Sequence, residues 1–237
     1  MRMLPTLLLG LFAIVGNGCS GNQDAVTMRP NPEVGDVRSY VVRMTYVPRS
    51  PAARPTIVIS FEARNEIIEV HPDGSVKVRQ WLTDWTVLQD GRDITDAEDA
   101  GEHTSTLTFG PNGDLLPDDS IEGTWRYIPA RTFIHPEEPV SPGDQWQWLV
   151  PADPDTGIIK GESTFTYAGT EKLSGQIVYK VTMRYTELKG SERVRANGTY
   201  WISTEDMRPV KTVLRVSNVY DFDDGYLYDV EEQSNRN

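Results

Sequence analysis

The chain of 237 residues contains a single cysteine, Cys19. One cysteine excludes an intrachain disulfide and any metal site built from several thiolates. Basic residues are also scarce, because 23 lysines and arginines stand against 35 acidic residues and leave a net charge of -12. DNA and RNA binding needs a basic surface, which this composition does not supply. We therefore expect no nucleic-acid partner.

The sequence also lacks the 3.6-residue apolar stripe of an amphipathic helix in any window of eleven or more residues. Instead, apolar and polar residues alternate along segments rich in Val, Ile, Thr and Tyr, which is typical of half-buried β-strands. This pattern predicts an all-β protein with an antiparallel sheet system, either a two-lobed sandwich or an open, curved half-barrel, and little or no helix. The predicted strands are residues 37–47, 57–61, 67–70, 76–88, 104–109, 145–150, 163–168, 177–185, 193–203 and 210–219.

Alternation also predicts which side chains face the core. In residues 177–185, one face carries Ile177, Val181, Met183 and Tyr185, and the other carries Arg184 with its polar neighbours. Because successive side chains of a strand point to opposite faces, we expect Met183 to be buried and Arg184 to be exposed.

Residues 1–18 have the form of a signal peptide. Arg2 supplies the positive start, and residues 4–15 form a mostly apolar run of about twelve residues. A membrane-spanning helix needs roughly 20 apolar residues, so this run is too short to remain as an anchor. It matches the apolar region of a cleaved secretory signal.

Gly16, Asn17 and Gly18 precede Cys19, and this arrangement resembles the lipobox of bacterial lipoproteins. The family prefers Leu where this chain has Gly16. The resemblance implies cleavage before Cys19, a diacylglycerol on its thiol and acylation, as with palmitate, of its new amino group. Residues 19–34 then form a lipidated tether that holds the protein on the membrane. Ser20, rather than Asp, implies sorting to the outer membrane of the cell envelope, facing the periplasm or the surface.

The remaining chain, residues 35–232, is predicted to form one β domain. A Gly–Asp pair precedes long strands at residue 35 and again at residue 143, so residues 35–130 and 142–232 are candidates for two similar halves. Residues 129–142 contain four prolines and are predicted to be the linker between them.

Motifs for catalysis or cofactors are absent. No Gly-x-Ser-x-Gly sequence or phosphate-binding glycine loop occurs. His71, His103 and His135 lie 32 residues apart and lack metal-ligand spacing. The acidic run at residues 221–225 does not place glycine at the sixth position of a calcium loop. We therefore expect no catalytic residues, no metal and no cofactor.

Tryptophan is the most informative residue type. Trp81 and Trp85 are four residues apart, and Trp146 and Trp148 are two apart, so each pair is predicted to share one strand face. Near Trp81 the strand is apolar on both faces. One face can belong to the core, while the other must meet a second layer of the protein, a hydrophobic ligand or a partner protein. The four tryptophans are thus the candidate ligand or partner surface.

The Gly143–Trp146 stretch and the two-part strand layout resemble uncharacterised β-rich bacterial lipoproteins. More loosely, they are similar to the half-barrel carriers of lipoprotein sorting, which wrap acyl chains in a curved sheet. Our first hypothesis is a membrane-tethered envelope protein with a non-catalytic binding or scaffold role, for an envelope protein or a hydrophobic ligand. The alternatives are a carrier of lipid or other hydrophobic cargo and a hydrolase with a carboxylate pair. An open apolar cavity favours the carrier, whereas a filled interior favours the scaffold.

Overall fold

The computed structural model describes residues 25–50, 54–96, 102–116, 126–220 and 227–237. All strand pairing in these ranges is antiparallel, and the one helical element is a single 3-10 turn, η1 (Ile128–Ala130). The all-β antiparallel fold predicted from the sequence is confirmed. The strands are β1 (Val37–Pro48), β2 (Ile57–Val70), β3 (Val76–Gln89), β4 (Arg92–Asp93), β5 (His103–Phe109), β6 (Leu115–Leu116), β7 (Gln145–Val150), β8 (Gly161–Leu173), β9 (Gln176–Glu187), β10 (Arg195–Ser203), β11 (Pro209–Tyr220) and β12 (Leu227–Arg236).

The strands form one open sheet in the order β6-β5-β3-β2-β1-β12-β11-β10-β9-β8-β7, with β4 paired to β3. Most neighbours in this order are also consecutive in the chain, so each half of the chain forms a meander. The two meanders join where β12 pairs with β1, from Tyr40 opposite Arg236 to Pro48 opposite Tyr228. Since β6 and β7 lie at opposite ends of the order, the sheet does not close into a barrel.

Residues 126–140, which we call the crossing segment, cover the inner face of the second meander. Phe133 contacts the rings of Phe165 and Tyr200, and Ala130 is fully buried. The crossing segment overlaps residues 129–142, for which the sequence predicts a linker. Its apolar side chains form part of the hydrophobic core together with inward side chains of β8 to β12.

Residues at the end of the predicted tether also contact the domain. Val26 forms a β-bridge with Val140 of the crossing segment, and Met28 has no exposed surface. The chain is therefore already part of the folded domain at Val26, eleven residues before β1 begins.

The strands of the second meander follow the predicted alternation. Met183 is 2% exposed and Arg184 is exposed, as expected. Ile177, which the alternation assigns to the inner face, is 62% exposed, so this assignment is wrong. Ile177 lies next to the β8–β9 hairpin. Val178, which the alternation assigns to the outer face with Arg184, is 1% exposed, so this assignment is wrong as well, and Tyr179 packs against the main hydrophobic core.

A buried ion pair anchors the start of the crossing segment. The Nε and Nη2 atoms of Arg126 each donate to a carboxylate oxygen of Glu187 at 2.8 Å. Glu187 has no exposed surface, and it also accepts a hydrogen bond from the backbone N–H of Val194. Because a buried carboxylate needs a charged partner and further donors, this geometry holds the crossing segment against the end of β9.

Candidate functional site

The inner face of the first meander borders a cavity of about 820 Å³. A volume of this size is within the range of small-molecule binding pockets. β1, β2, β3 and β5 form its floor, and the crossing segment and residues of β10 to β12 form its far wall. The inner face is therefore filled by protein on the second meander and open on the first.

Most side chains that line the cavity are apolar. Val42, Ala63 and Val78 are nearly buried at the floor, while Phe61, Leu82 and Trp85 are partly exposed. Partly exposed apolar side chains around a cavity leave surface that a hydrophobic ligand can remove from water, which is favourable in proportion to the buried area. The apolar and aromatic lining residues are Tyr40, Val42, Met44, Phe61, Ala63, Ile67, Val76, Val78, Leu82, Trp85, Leu107, Phe109, Pro111, Leu115, Tyr127, Ile128, Phe133, Tyr200 and Pro209, with Pro30 and Pro32 of the N-terminal segment, residues 25–36.

Trp85 reaches this cavity because β3 contains a bulge. Ser60 pairs with Thr86 and Glu62 pairs with Thr83, so Asp84 and Trp85 together oppose Phe61. Asp84 has a φ of +53°, the left-handed conformation that such an extra residue adopts. The bulge shifts the alternation by one residue and turns Trp85 to the inner face, where its indole stacks on Phe61 with ring centroids 4.9 Å apart.

Trp81 lies on the opposite face. It does not line the cavity, and its ring lies between the guanidinium groups of Arg64 and Arg79, at 5.2 and 5.7 Å from its centroid. The prediction that Trp81 and Trp85 share a face is therefore wrong, because a bulge between them breaks the two-residue period.

Trp146 and Trp148 share a face, but they belong to the filled half of the molecule. Trp146 stacks on Phe165 and donates its indole N–H to the carbonyl of Ile134 at 2.8 Å. Trp148 also packs against the core. The structure thus brings one of the four candidate tryptophans, Trp85, to the cavity.

The wall between the open and filled halves carries an ion pair. Arg131 of the crossing segment contacts the carboxylate of Glu232 on β12. Burial lowers the pKa of Arg131, but the Glu232 carboxylate outweighs this effect and raises it above its usual range. Tyr200 donates its hydroxyl to the carbonyl of Arg131, and burial raises the pKa of this phenol well above its usual value. Arg131 therefore stays charged and the Tyr200 hydroxyl stays neutral, and their contacts fix the position of the wall.

His135 lies where the crossing segment meets the N-terminal segment and the β5–β6 turn. It is 7% exposed, its Nδ1 lies 2.8 Å from the carbonyl oxygen of Met28, and its backbone N–H donates to the carbonyl of Asn112. The pKa of His135 is lowered to about 4, chiefly by burial and in smaller part by Arg208 and Arg29, against the opposing effect of the Met28 carbonyl. The ring is therefore neutral near pH 7, and its role is to join three segments.

A cluster of charged side chains lies at the edge of the cavity where β1 begins. Asp206 accepts hydrogen bonds from Arg38 at 3.1 Å and from Arg236 at 2.6 Å, and Asp36 accepts one from Arg208 at 3.3 Å. Burial raises the pKa of Asp206, but Arg236 and Arg38 outweigh it and lower this pKa overall. Of this cluster, Arg38 and Arg208 line the cavity, and both already have carboxylate partners.

The other candidate residues lie elsewhere. Cys19 and the acidic run at 221–225 are outside the described residues. His71 contacts Glu69 beside a hairpin turn, and His103 meets the edge of the Trp85 ring. Among the residues that the structure describes, no group of three or more His, Cys, Asp or Glu side chains is arranged to hold a metal ion. The same residues include no helix with the length and apolar character needed to cross a membrane.

Sequence reasoning missed most of the cavity. Phe61, Val78 and Leu82 carry an available signal, because they lie on the apolar face of predicted strands. The contributions of Tyr200 and Glu232 had no such signal, since both residues lie more than ninety positions further along the chain than the last residue of the cavity floor, Phe109.

No protein-family model and no curated protein sequence matches the chain. Among solved structures, it is similar to a protein of Bacteroides fragilis that is provisionally assigned as exported and has a YmcC-like fold. That match has a TM-score of 0.32 and 10% identity, and covers 90% of this chain and all of the other. It is also similar to a chain of Parabacteroides distasonis that is provisionally assigned as a lipoprotein, with a TM-score of 0.32, 13% identity, and coverage of 91% of this chain and all of the other.

Proposed function

We propose that this protein is a lipid-anchored protein of the bacterial cell envelope that binds a hydrophobic or amphipathic small molecule in its inner-face cavity. The observation that carries the binding role is the cavity of about 820 Å³ with a mostly apolar lining. The proposed location in the cell envelope rests on residues 1–19, in which a short apolar run is followed by Cys19. The outer membrane, and acylation of Cys19, belong to the same proposal.

The cavity favours the carrier over the scaffold. A scaffold needs only a filled interior, and the second meander supplies one, with Phe133 and Phe165 at its centre. The first meander instead leaves Phe61, Leu82 and Trp85 partly exposed to an internal space. Apolar surface that is exposed to water raises the free energy of the unliganded protein. A bound ligand covers this surface and so removes the unfavourable contribution.

The hydrolase hypothesis needs two carboxylates that converge in a cleft. Among the described residues that line the cavity, Glu232 is the one carboxylate, and it is paired with Arg131. We therefore propose binding without catalysis at this site.

The test uses N-phenyl-1-naphthylamine, an uncharged fluorophore whose emission rises in apolar surroundings. The purified protein should bind it saturably. Val42 and Val41 are adjacent on β1, but Val42 lines the cavity at 7% exposure, whereas Val41 is 45% exposed and does not line it. Val42→Trp should fill the cavity and lower the affinity at least about tenfold, a loss of roughly 1.4 kcal/mol. Val41→Trp should bind like the wild type.

A second variant that fills the cavity keeps the test valid if Val42→Trp does not fold. Ala63→Phe adds bulk at the cavity floor from β2, and the thermal unfolding midpoint of each variant reports whether it folds. Failure of the wild type to bind the fluorophore, or equal binding by folded Val42→Trp and Ala63→Phe, would refute a ligand-binding cavity.

A further inference from the structure

A row of polar side chains crosses the apolar floor of the cavity. Strand register places Arg38 opposite Asn65, Asn65 opposite Gln80, and Gln80 opposite Ser105, on four neighbouring strands. All four residues line the cavity. We call Arg38, Asn65, Gln80 and Ser105 the polar row.

Apolar rows flank the polar row on both sides. On one side, Ile67 pairs with Val78, and Val78 pairs with Leu107. On the other side, Leu82 pairs with Ala63, which pairs with Tyr40. Among the lining residues of β2, β3 and β5, the amide and hydroxyl side chains are therefore confined to this one line, while Thr132, Thr212 and Ser234 lie on the far wall. Such an arrangement is unfavourable inside a dry core, because each polar group left without a partner costs free energy.

The groups of the polar row retain unused hydrogen-bonding capacity. Gln80 donates one N–H to the side-chain oxygen of Asn65 at 2.9 Å. This bond leaves the carbonyl oxygen and a second N–H of Gln80, and both N–H groups of Asn65, without a side-chain partner among the described residues. Ser105 likewise has its hydroxyl available there. The row thus offers both donors and acceptors to the cavity.

The charges nearby are already neutralised. Arg38 is paired with Asp206, Arg208 with Asp36 and Arg131 with Glu232, so the three arginines that line the cavity have carboxylate partners. An anionic ligand group would have to compete with these carboxylates. A neutral group that donates and accepts hydrogen bonds would instead complete the pairing that Asn65 and Gln80 leave open.

From this geometry we propose that the cavity selects an amphiphile whose neutral hydrogen-bonding group, an amide or hydroxyl, binds the polar row while its apolar chain covers the flanking rows. This inference deepens the proposed function and depends on it, because it names the chemical class of the ligand of the same cavity. The apolar chain of the ligand would reach toward the partly exposed rings of Phe61 and Trp85.

The experiment compares two ligands of the same chain length. Decanamide carries a neutral head that donates and accepts hydrogen bonds, whereas decanoate carries an anionic head. Each is used to displace N-phenyl-1-naphthylamine from the wild-type protein. The concentration of decanamide that displaces half of the fluorophore should be lower than that of decanoate by a factor of about five or more. The reason is that desolvating a carboxylate without a free cation costs more free energy than desolvating an amide.

The double variant Asn65→Leu/Gln80→Leu removes the neutral part of the row at similar side-chain volume. Its affinity for decanamide should fall about tenfold, as expected for the loss of two ordinary hydrogen bonds. Its affinity for N-phenyl-1-naphthylamine should stay the same or rise. The matched control is Gln233→Leu/Asn235→Leu on β12, where both residues are exposed and neither lines the cavity. This control should bind decanamide like the wild type.

The two proposals fail in different ways. If the wild type binds no fluorophore, the cavity is not a ligand site and the proposed function fails. If it binds the fluorophore but takes decanoate as well as decanamide, or if Asn65→Leu/Gln80→Leu keeps its decanamide affinity, the role of the polar row is refuted while the cavity stands.

Discussion

Trp85 stacks on Phe61 across the β2–β3 pair, with an interplanar angle of 14° and the two rings facing the cavity. Phe61 reaches this face by simple alternation along β2. Trp85 reaches it only because Asp84 adds one residue to β3. Stacked aromatic pairs of this kind add about 0.5–1.5 kcal/mol beyond their buried area. The pair is therefore both a stable element of the cavity floor and a large apolar contact available to a ligand.

The bulge leads to a prediction about the two tryptophans of β3. Trp85→Ala should weaken binding of N-phenyl-1-naphthylamine about tenfold, because it removes a large apolar surface from the cavity floor. Trp81→Ala should leave the affinity unchanged, since Trp81 lies between Arg64 and Arg79 on the outer face. Fluorescence titration measures both. A larger loss for Trp81→Ala than for Trp85→Ala would show that the bulge does not turn the strand as described.

A second prediction concerns the sidedness of β9. Met183→Ala should lower the free energy of unfolding by about 2–5 kcal/mol, because Met183 is 2% exposed and its removal leaves a cavity in the core. Arg184→Ala should change it by no more than about 0.5 kcal/mol, as is usual for an exposed site. Denaturant unfolding measures the difference. Equal losses for the two variants would mean that both faces of β9 are buried.

The third prediction is a pH dependence of stability that arises from His135. Its pKa is lowered to about 4 in the folded protein, against an ordinary value of 6.5. Between these values the unfolded chain binds the proton more readily than the folded chain does. The stabilising contribution is therefore complete above about pH 6.5 and is lost as the pH falls toward 4, by roughly 3 kcal/mol in all.

The variant His135→Asn isolates this contribution. An asparagine side chain keeps an N–H donor near the position of Nδ1, which can serve the carbonyl of Met28, but it does not titrate. The free energy of unfolding, measured by denaturant titration from pH 7 to pH 4, should fall less steeply for His135→Asn than for the wild type. Identical slopes would mean that His135 is accessible to protons in the folded state.

The fourth prediction tests the membrane address. In a bacterium that processes lipoproteins, the wild-type protein should take up labelled palmitate and partition into detergent, because more than one acyl chain is needed for stable anchoring. Cys19→Ser should take up no label, and should be released as a water-soluble protein or remain uncleaved. A water-soluble wild-type protein with a free thiol at Cys19 would rule out the anchor.

The extent of the strands shows where sequence patterns succeed. The bounds of β1, β3 and β7 agree with the alternating segments to within one residue. β2 was divided in two by the polar stretch around Arg64, yet it runs unbroken from Ile57 to Val70. Arg64 points to the outer face while Ala63 and Asn65 face the cavity, so a locally polar sequence still forms one strand.

β12 was missed altogether, and it is the strand that joins the two meanders. Tyr228 and Val230 face the core, but the next inward residue is Glu232, and the remaining residues are mostly polar. No local apolar pattern marks such a strand. Glu232 is tolerated on the inner face because Arg131, 101 residues earlier in the chain, lies beside it. This pairing exists only after the crossing segment is in place.

The sequence by itself determined the strand-rich fold and the sidedness of most strands. These properties depend on residues a few positions apart, where alternation and composition act directly. Only the tertiary structure decided that β12 pairs with β1, that the bulge at Asp84 turns Trp85 to the cavity, and that the crossing segment fills one half of the inner face and leaves the other open. The strand pairing and the position of the crossing segment depend on contacts between residues that are distant in the chain, and the orientation of Trp85 depends on one extra residue in a strand. Distant contacts and single inserted residues produce no local pattern that can be recognised in the sequence.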